Sequence, residues 1–202
     1  IAAFLQTHSQ DDEILEISQA LAKEAGVVAD IRNGSGCTQI VLAAMELMNK
    51  DVKSTPLKAL QGRIWKAGFN SGQLVAHVFD DVPSSLANWA ASGIDIRIYS
   101  SGSIEAQKLF FRHTAAGDLT PHLRGHYDTT TGPKREQESY RKISENIGVR
   151  PEQILFLSDV GAELDAARSV GMATGATLRP GNRPFESHYN HEQIQTFTDI
   201  TL

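Results

Sequence analysis

Two short apolar runs that stop abruptly on polar side chains constrain this chain more than any other feature. Ile94-Asp95-Ile96-Arg97-Ile98-Tyr99 gives way to Ser100-Ser101-Gly102-Ser103, and Ile154-Leu155-Phe156-Leu157 gives way to Ser158-Asp159. Each has the pattern of a buried parallel strand, and the carboxyl ends of such strands form the edge where open α/β sheets bind ligands. From about Val75 onward, helix and strand patterns alternate around these runs. A helix from Asp80 to Gly93 precedes the first strand, and another follows Ser103. A strand spans His126 to Thr130, and Tyr140, Ile143 and Ile147 mark the next helix. The helix Glu163 to Val170 is stopped by Gly171, and Ala173 to Leu178 is the last strand. This alternation predicts right-handed crossovers and a parallel sheet.

The first third reads as helical instead. Ser9 to Asp12 has a capping-box-like layout ahead of Ile14, Ile17 and Leu21, and Gly26 stops that helix. Arg32 to Gly36 reads as a loop before a second helix through Ile40, Ala44, Leu47 and Met48. Ser54-Thr55-Pro56 starts a third helix through Leu57, Leu60 and Ile64, with Gly68 behind it.

A length of 202 residues, 41% hydrophobic and 21% charged, supports a real core in one α/β domain with a smaller appendage. The boundary falls between residues 1–75 and 76–202. A net charge of −5 without a long Lys/Arg stripe excludes duplex nucleic acid as the natural partner, which leaves a small molecule. No apolar run is long enough to span a membrane, and a single cysteine, Cys37, cannot form an internal disulfide, so a cytoplasmic setting is expected. No heptad or apolar stripe demands a partner chain, and a monomer is expected.

Several residues are placed for chemistry. Ser100, Ser101 and Ser103 lie where a strand becomes a helix, so their hydroxyls and the free N–H groups of the helix start can surround a phosphate; ordinary N-capping by serine accounts for the same residues. Lys134, in the loop Thr130-Thr131-Gly132-Pro133-Lys134, can neutralise that phosphate or serve as a solvated surface lysine. Asp159, directly after an apolar strand, is costly to hold there unless paired or coordinated, and it suits Mg²⁺; an N-cap is the competing reading. Glu163, one turn on, can orient a metal-bound water, although Glu163 and Asp165 are also what a helix dipole favours in a first turn. The seven histidines show no metal-ligand spacing, and His188 and His191 read as a solvated tail. No nucleophile elbow, Walker loop or dinucleotide fingerprint is present.

The order strand-Ser, loop-Lys, strand-Asp resembles the haloacid dehalogenase superfamily. The blocks Lys53 to Gly62, Tyr99 to Leu109, Gly132 to Glu136 and Phe156 to Val160 are similar to the enolase-phosphatases of methionine salvage, also called acireductone synthases. The resemblance implies an α/β haloacid-dehalogenase-like (Rossmannoid) parallel-sheet core, residues 76–202, with a helical cap, residues 1–75. It implies a Mg²⁺ enzyme that enolises the small phosphorylated diketone 2,3-diketo-5-methylthiopentyl-1-phosphate and then removes its phosphate. On matching positions Ser100 and Ser101 hold the phosphate, Lys134 stabilises it and the nucleophile, and Asp159 binds Mg²⁺. The family's opening strand, ending in Asp-x-Glu-Gly-Thr and carrying the attacking Asp, has no counterpart in residues 1–202. The nearest imitation, Val27-Val28-Ala29-Asp30-Ile31-Arg32, has Arg32 where the second acid belongs. By resemblance the missing strand lies between the one ending at Ser100 and the one ending at Asp159, and phosphatase turnover by these residues alone is not expected. Two rivals stay open: a phosphatase of the same superfamily with another small substrate, and a non-catalytic phosphometabolite-binding protein that begins near Ile1.

Overall fold

The computed structural model describes residues 1–50, 52 and 54–201; Lys53 of the first quoted block and the final Leu202 lie outside the described residues. The chain forms two compact units, Ile1–Leu74 and Val75–Leu202.

The first unit holds four helices: α1 (Ala2–Thr7), α2 (Asp12–Glu24), α3 (Gly34–Asn49) and α4 (Thr55–Asn70). Asp11, rather than Ser9, caps α2, its carboxylate accepting the N–H groups of Glu13 and Ile14 at 3.0 and 3.2 Å. The inner stripe of each helix meets in one core, where Leu5, Leu21, Ile40 and Leu60 are fully buried. Ser54 caps α4 through the Leu57 N–H, 3.1 Å, and donates to Glu24 at 2.9 Å, tying α4 to α2. Gly36, read as part of a loop, and Gly68, read as lying behind a helix, both lie inside helices. Gly36 is in α3 because the Asp30 backbone passes so close that a Cβ would lie 2.1 Å from its carbonyl oxygen, and Gly68 is in α4 because Leu74 folds back onto it. Close approach, not left-handed backbone, selects glycine there.

The second unit runs α5 (Asp81–Ala91), β1 (Arg97–Tyr99), α6 (Ile104–Arg112), β2 (Gly125–Tyr127), α7 (Gln137–Ile147), β3 (Leu155–Ser158), α8 (Gly161–Ser169), β4 (Ala173–Thr177) and β5 (Glu192–Ile194). All pairings among these strands are parallel. They fall into two sheets, β1-β2 and β3-β4-β5, and among the described residues no ladder joins β1 to β3. With one edge unpaired, these strands are half-buried along most of their length, not the fully buried strands their apolar runs suggest. Tyr140 of α7 underlies both, its ring 5.7 Å from Tyr99 of β1 and 4.9 Å from Phe156 of β3. Ala173–Thr177 is not the last strand, because Glu192–Ile194 adds a further one to its outer edge. That segment is fastened by His191, which is no solvated residue: its imidazole is buried, 2.8 Å from the Thr174 hydroxyl and 3.0 Å from Asp165.

A clasp closes the unit. Arg179 pairs with Asp81 at 2.6 Å, is stacked between the rings of Phe79 and Phe197, and donates to the Gln195 carbonyl. Asp81 also accepts the Phe197 N–H at 2.6 Å and the Thr196 hydroxyl at 3.1 Å. Burial works to raise its pKa, but the Arg179 guanidinium and these donors overcome it and hold the carboxyl at about 2. A depressed carboxyl contributes stability that is complete above its ordinary value of 3.8 and is lost as pH falls through its folded value. Asp81→Asn is therefore expected to destabilise this unit by about 2–4 kcal/mol near neutrality and to flatten the stability curve between roughly pH 4 and 2. Urea melts across that range test it, and superimposable curves for variant and parent rule the clasp out as the source of acid sensitivity.

Candidate active site

The site forms at the carboxyl ends of β1 and β3. After β1 the chain turns at Ser100, whose hydroxyl accepts the Gly102 N–H at 3.2 Å, and Ser103 caps α6 through the Ala106 N–H, also at 3.2 Å. Asp128, buried at the end of β2, accepts the Ile104 N–H at 3.2 Å. The start of α6 is therefore not the open N–H cradle that its three serines suggest. Ser103 is a cap, and in the preceding turn Ser100 is half-buried and Ser101 exposed. Gln107 locks this turn from beneath, donating to the carbonyls of Gly102 and Tyr127, both at 2.8 Å, while its carbonyl faces His126 Nδ1 at 3.1 Å. Burial, with help from Lys108, lowers the His126 pKa and favours the neutral ring in that contact. Sequence reasoning missed Gln107. The available signal was a Gln on the buried face of α6, where a polar residue needs partners.

Lys134 is no solvated lysine. Its ammonium lies 2.6 Å from Glu163 of α8 and 5.7 Å from the ring centre of Tyr99 in β1, so one side chain links β1 to α8. The side chains of Lys134 and Glu163 are only 21% and 10% exposed, which makes this a shielded pair rather than a surface one. The same Glu163 oxygen accepts the Ser158 hydroxyl at 2.8 Å, and that hydroxyl in turn accepts the Val160 N–H at 3.1 Å. Glu163 is thus engaged by the Lys134 ammonium and the Ser158 hydroxyl through one oxygen.

Asp159 is exposed, so its placement carries no burial penalty, contrary to the argument from its apolar neighbours. One of its oxygens accepts from the Asn182 amide at 2.9 Å. Beside it opens a cavity of about 500 Å³ bordered by Arg135, Asn182, Arg183 and Tyr189. Among the described residues no group of three or more His, Cys, Asp or Glu converges on one point. Asp165 turns away, to His191 and Arg168. Asp30, in the first unit, is held by the backbone N–H and guanidinium of Arg32, which lower its pKa, and it serves a local turn.

The sequence pattern of haloacid dehalogenase-like hydrolases matches residues 16–171, most of the chain. An enolase-phosphatase E1 of Sorangium cellulosum is 42% identical over 201 residues, covering 99% of this chain and 84% of the relative. The chain belongs to the enolase-phosphatase E1 family of haloacid dehalogenase-like hydrolases. A second family member, from Drosophila grimshawi, is 48% identical over 77% of this chain, which spans 64% of that longer protein. Among solved structures, the UTR4 protein of Saccharomyces cerevisiae is 33% identical and superposes with a TM-score of 0.75, covering 98% of this chain and 89% of its own. The hydrolase match takes in Ser100, Lys134, Asp159 and Glu163 and stops before β5, so in this enolase-phosphatase the site residues lie within the shared core while the His191 fastening lies beyond it.

Proposed function

We propose that this enolase-phosphatase converts 2,3-diketo-5-methylthiopentyl-1-phosphate to the acireductone 1,2-dihydroxy-3-keto-5-methylthiopentene, enolising it first and then removing the phosphate. The observation that carries the reading is Lys134, a shielded cation fixed between the Glu163 carboxylate and the Tyr99 ring. Phosphoryl transfer needs fixed positive charge to offset the charge spread over the non-bridging oxygens, and preorganisation is what makes such charge effective. Ser100 and Ser101 hold the phosphate, and Lys134 neutralises it. The attacking carboxylate is supplied by the family's Asp-x-Glu-Gly-Thr strand, whose place is the interval between β1 and β3. Asp159 suits Mg²⁺, being an exposed oxygen donor with one oxygen engaged only by an amide. When bound, that ion draws charge from the phosphate and its attacker. The four-helix unit, residues 1–74, acts as the cap, and the α/β unit as the phosphatase core. A buried, unpaired Cys37 suits a reducing cytoplasm.

The full-length protein is expected to release inorganic phosphate from the diketo phosphate with appearance of the acireductone's ultraviolet absorbance. Excess EDTA should lower the rate by on the order of a hundredfold, and added Mg²⁺ should restore it. Equal turnover of unrelated small phosphate esters points instead to a phosphatase of broader range, and binding without release under saturating Mg²⁺ overturns the catalytic reading.

A further inference from the structure

Three successive carbonyls of the lysine-bearing loop each receive a different side-chain hydroxyl. Tyr99 of β1 donates to Gly132 O at 2.7 Å, Ser139 of α7 to Pro133 O at 2.7 Å, and Tyr140 of α7 to Lys134 O at 2.6 Å. We infer that Tyr99, Ser139 and Tyr140 form a hydroxyl cradle that positions the Lys134 ammonium, and that they act on catalysis only through it.

The arrangement is unusually complete for a loop. Irregular segments ordinarily leave their carbonyls to water, and here three in a row are taken by protein donors. Ser139 and Tyr140 are among the most buried side chains of the chain, so their hydroxyls cannot exchange this task for solvent. Gly132 shows how closely the loop is pressed onto the cradle: a Cβ there would lie 2.2 Å from the Ser139 hydroxyl oxygen. Burial raises the pKa of each phenol, with Glu163 adding to the effect, so both keep the proton they donate. Tyr99 acts twice, fixing the loop with its hydroxyl and standing under the ammonium with its ring. Tyr140 packs between Tyr99 and Phe156, so the loop is referenced to both sheets at once. Removing a hydroxyl frees one backbone anchor of a residue whose ammonium must stay within hydrogen-bond reach of Glu163. A displacement on the order of 1 Å at a fixed charge can cost a hundredfold in rate, so about tenfold for one anchor of three is the expected scale.

This inference rests on the phosphatase reading for its kinetic arm, and a second arm is independent of substrate. In the full-length protein, Tyr140→Phe, which keeps the buried ring, should lower kcat about tenfold with KM within about twofold, and should lower it no further in a Lys134→Ala background. Competitive amine labelling, read by mass spectrometry at the Lys134 peptide, should speed up at least about threefold in Tyr140→Phe, with exposed Lys58 as an unchanged internal reference. Tyr99→Phe and Ser139→Ala should behave alike, and they carry the test if Tyr140→Phe fails to fold. Unchanged Lys134 labelling in all three overturns the cradle, as does an equal kcat loss with and without Lys134. Faster labelling in a protein that does not process the diketo phosphate leaves the cradle standing and removes the substrate reading.

Discussion

Lys134→Ala is expected to lower kcat on the diketo phosphate by on the order of a hundredfold or more, since the remaining serine hydroxyls carry no charge to set against the transferring group. Lys134→Arg should not restore it. The site is bounded by a carboxylate at 2.6 Å and an aromatic face at 5.7 Å, and a planar guanidinium cannot place its charge where a compact ammonium sits. The alanine variant should also lose stability, by about 1–3 kcal/mol, because the largely buried Glu163 keeps only the Ser158 hydroxyl. That second effect separates the shielded pair from a loop lysine, whose removal leaves the melting temperature unmoved. Near-normal turnover at saturating Mg²⁺ removes Lys134 from the chemistry altogether.

Asp159→Asn should reduce kcat/KM by about a hundred- to a thousandfold and weaken the dependence of rate on Mg²⁺ concentration, since one carboxylate holds much of the charge that balances the ion. The melting temperature should shift by no more than about 2 °C, because Asp159 is exposed and its bond from Asn182 can be made equally to an amide oxygen. A variant with an unaltered Mg²⁺ titration places the metal elsewhere.

The α/β core and its reactive edge were legible because β1 and β3 are read from apolar runs that end on Ser100 and Asp159, and Ser54 and Gly26 punctuate helices in ways local chemistry explains. What was not legible depends on partners distant in sequence. Glu163 read as a first-turn acid because nothing local announces that Lys134 arrives from another loop. Glu192–Ile194 lacks an apolar run and is a strand only because β4 offers an edge and His191 anchors it. Gly36 and Gly68 read as loop and stop signals, since a neighbour's backbone or side chain pressed against a helix leaves no trace in the helix's own residues. The strands' half-buried state likewise follows from which edge is paired, a property of the sheet rather than of any one strand.

The Asp81-Arg179-Phe197 clasp joins positions from opposite ends of the second unit, so it is a non-local contact of the kind that forms only after the intervening chain has closed. Trp89 lies against that same Phe197, their ring centres 5.3 Å apart, whereas the chain's other tryptophan, Trp65, belongs to the four-helix unit. The molecule thus carries one tryptophan in each unit, and a Trp65→Phe variant, excited selectively at the indole, leaves an optical probe seated on the clasp itself. Its emission should register release of the carboxyl-terminal segment separately from unfolding of the helical unit, so that the order in which the two units come apart can be read directly.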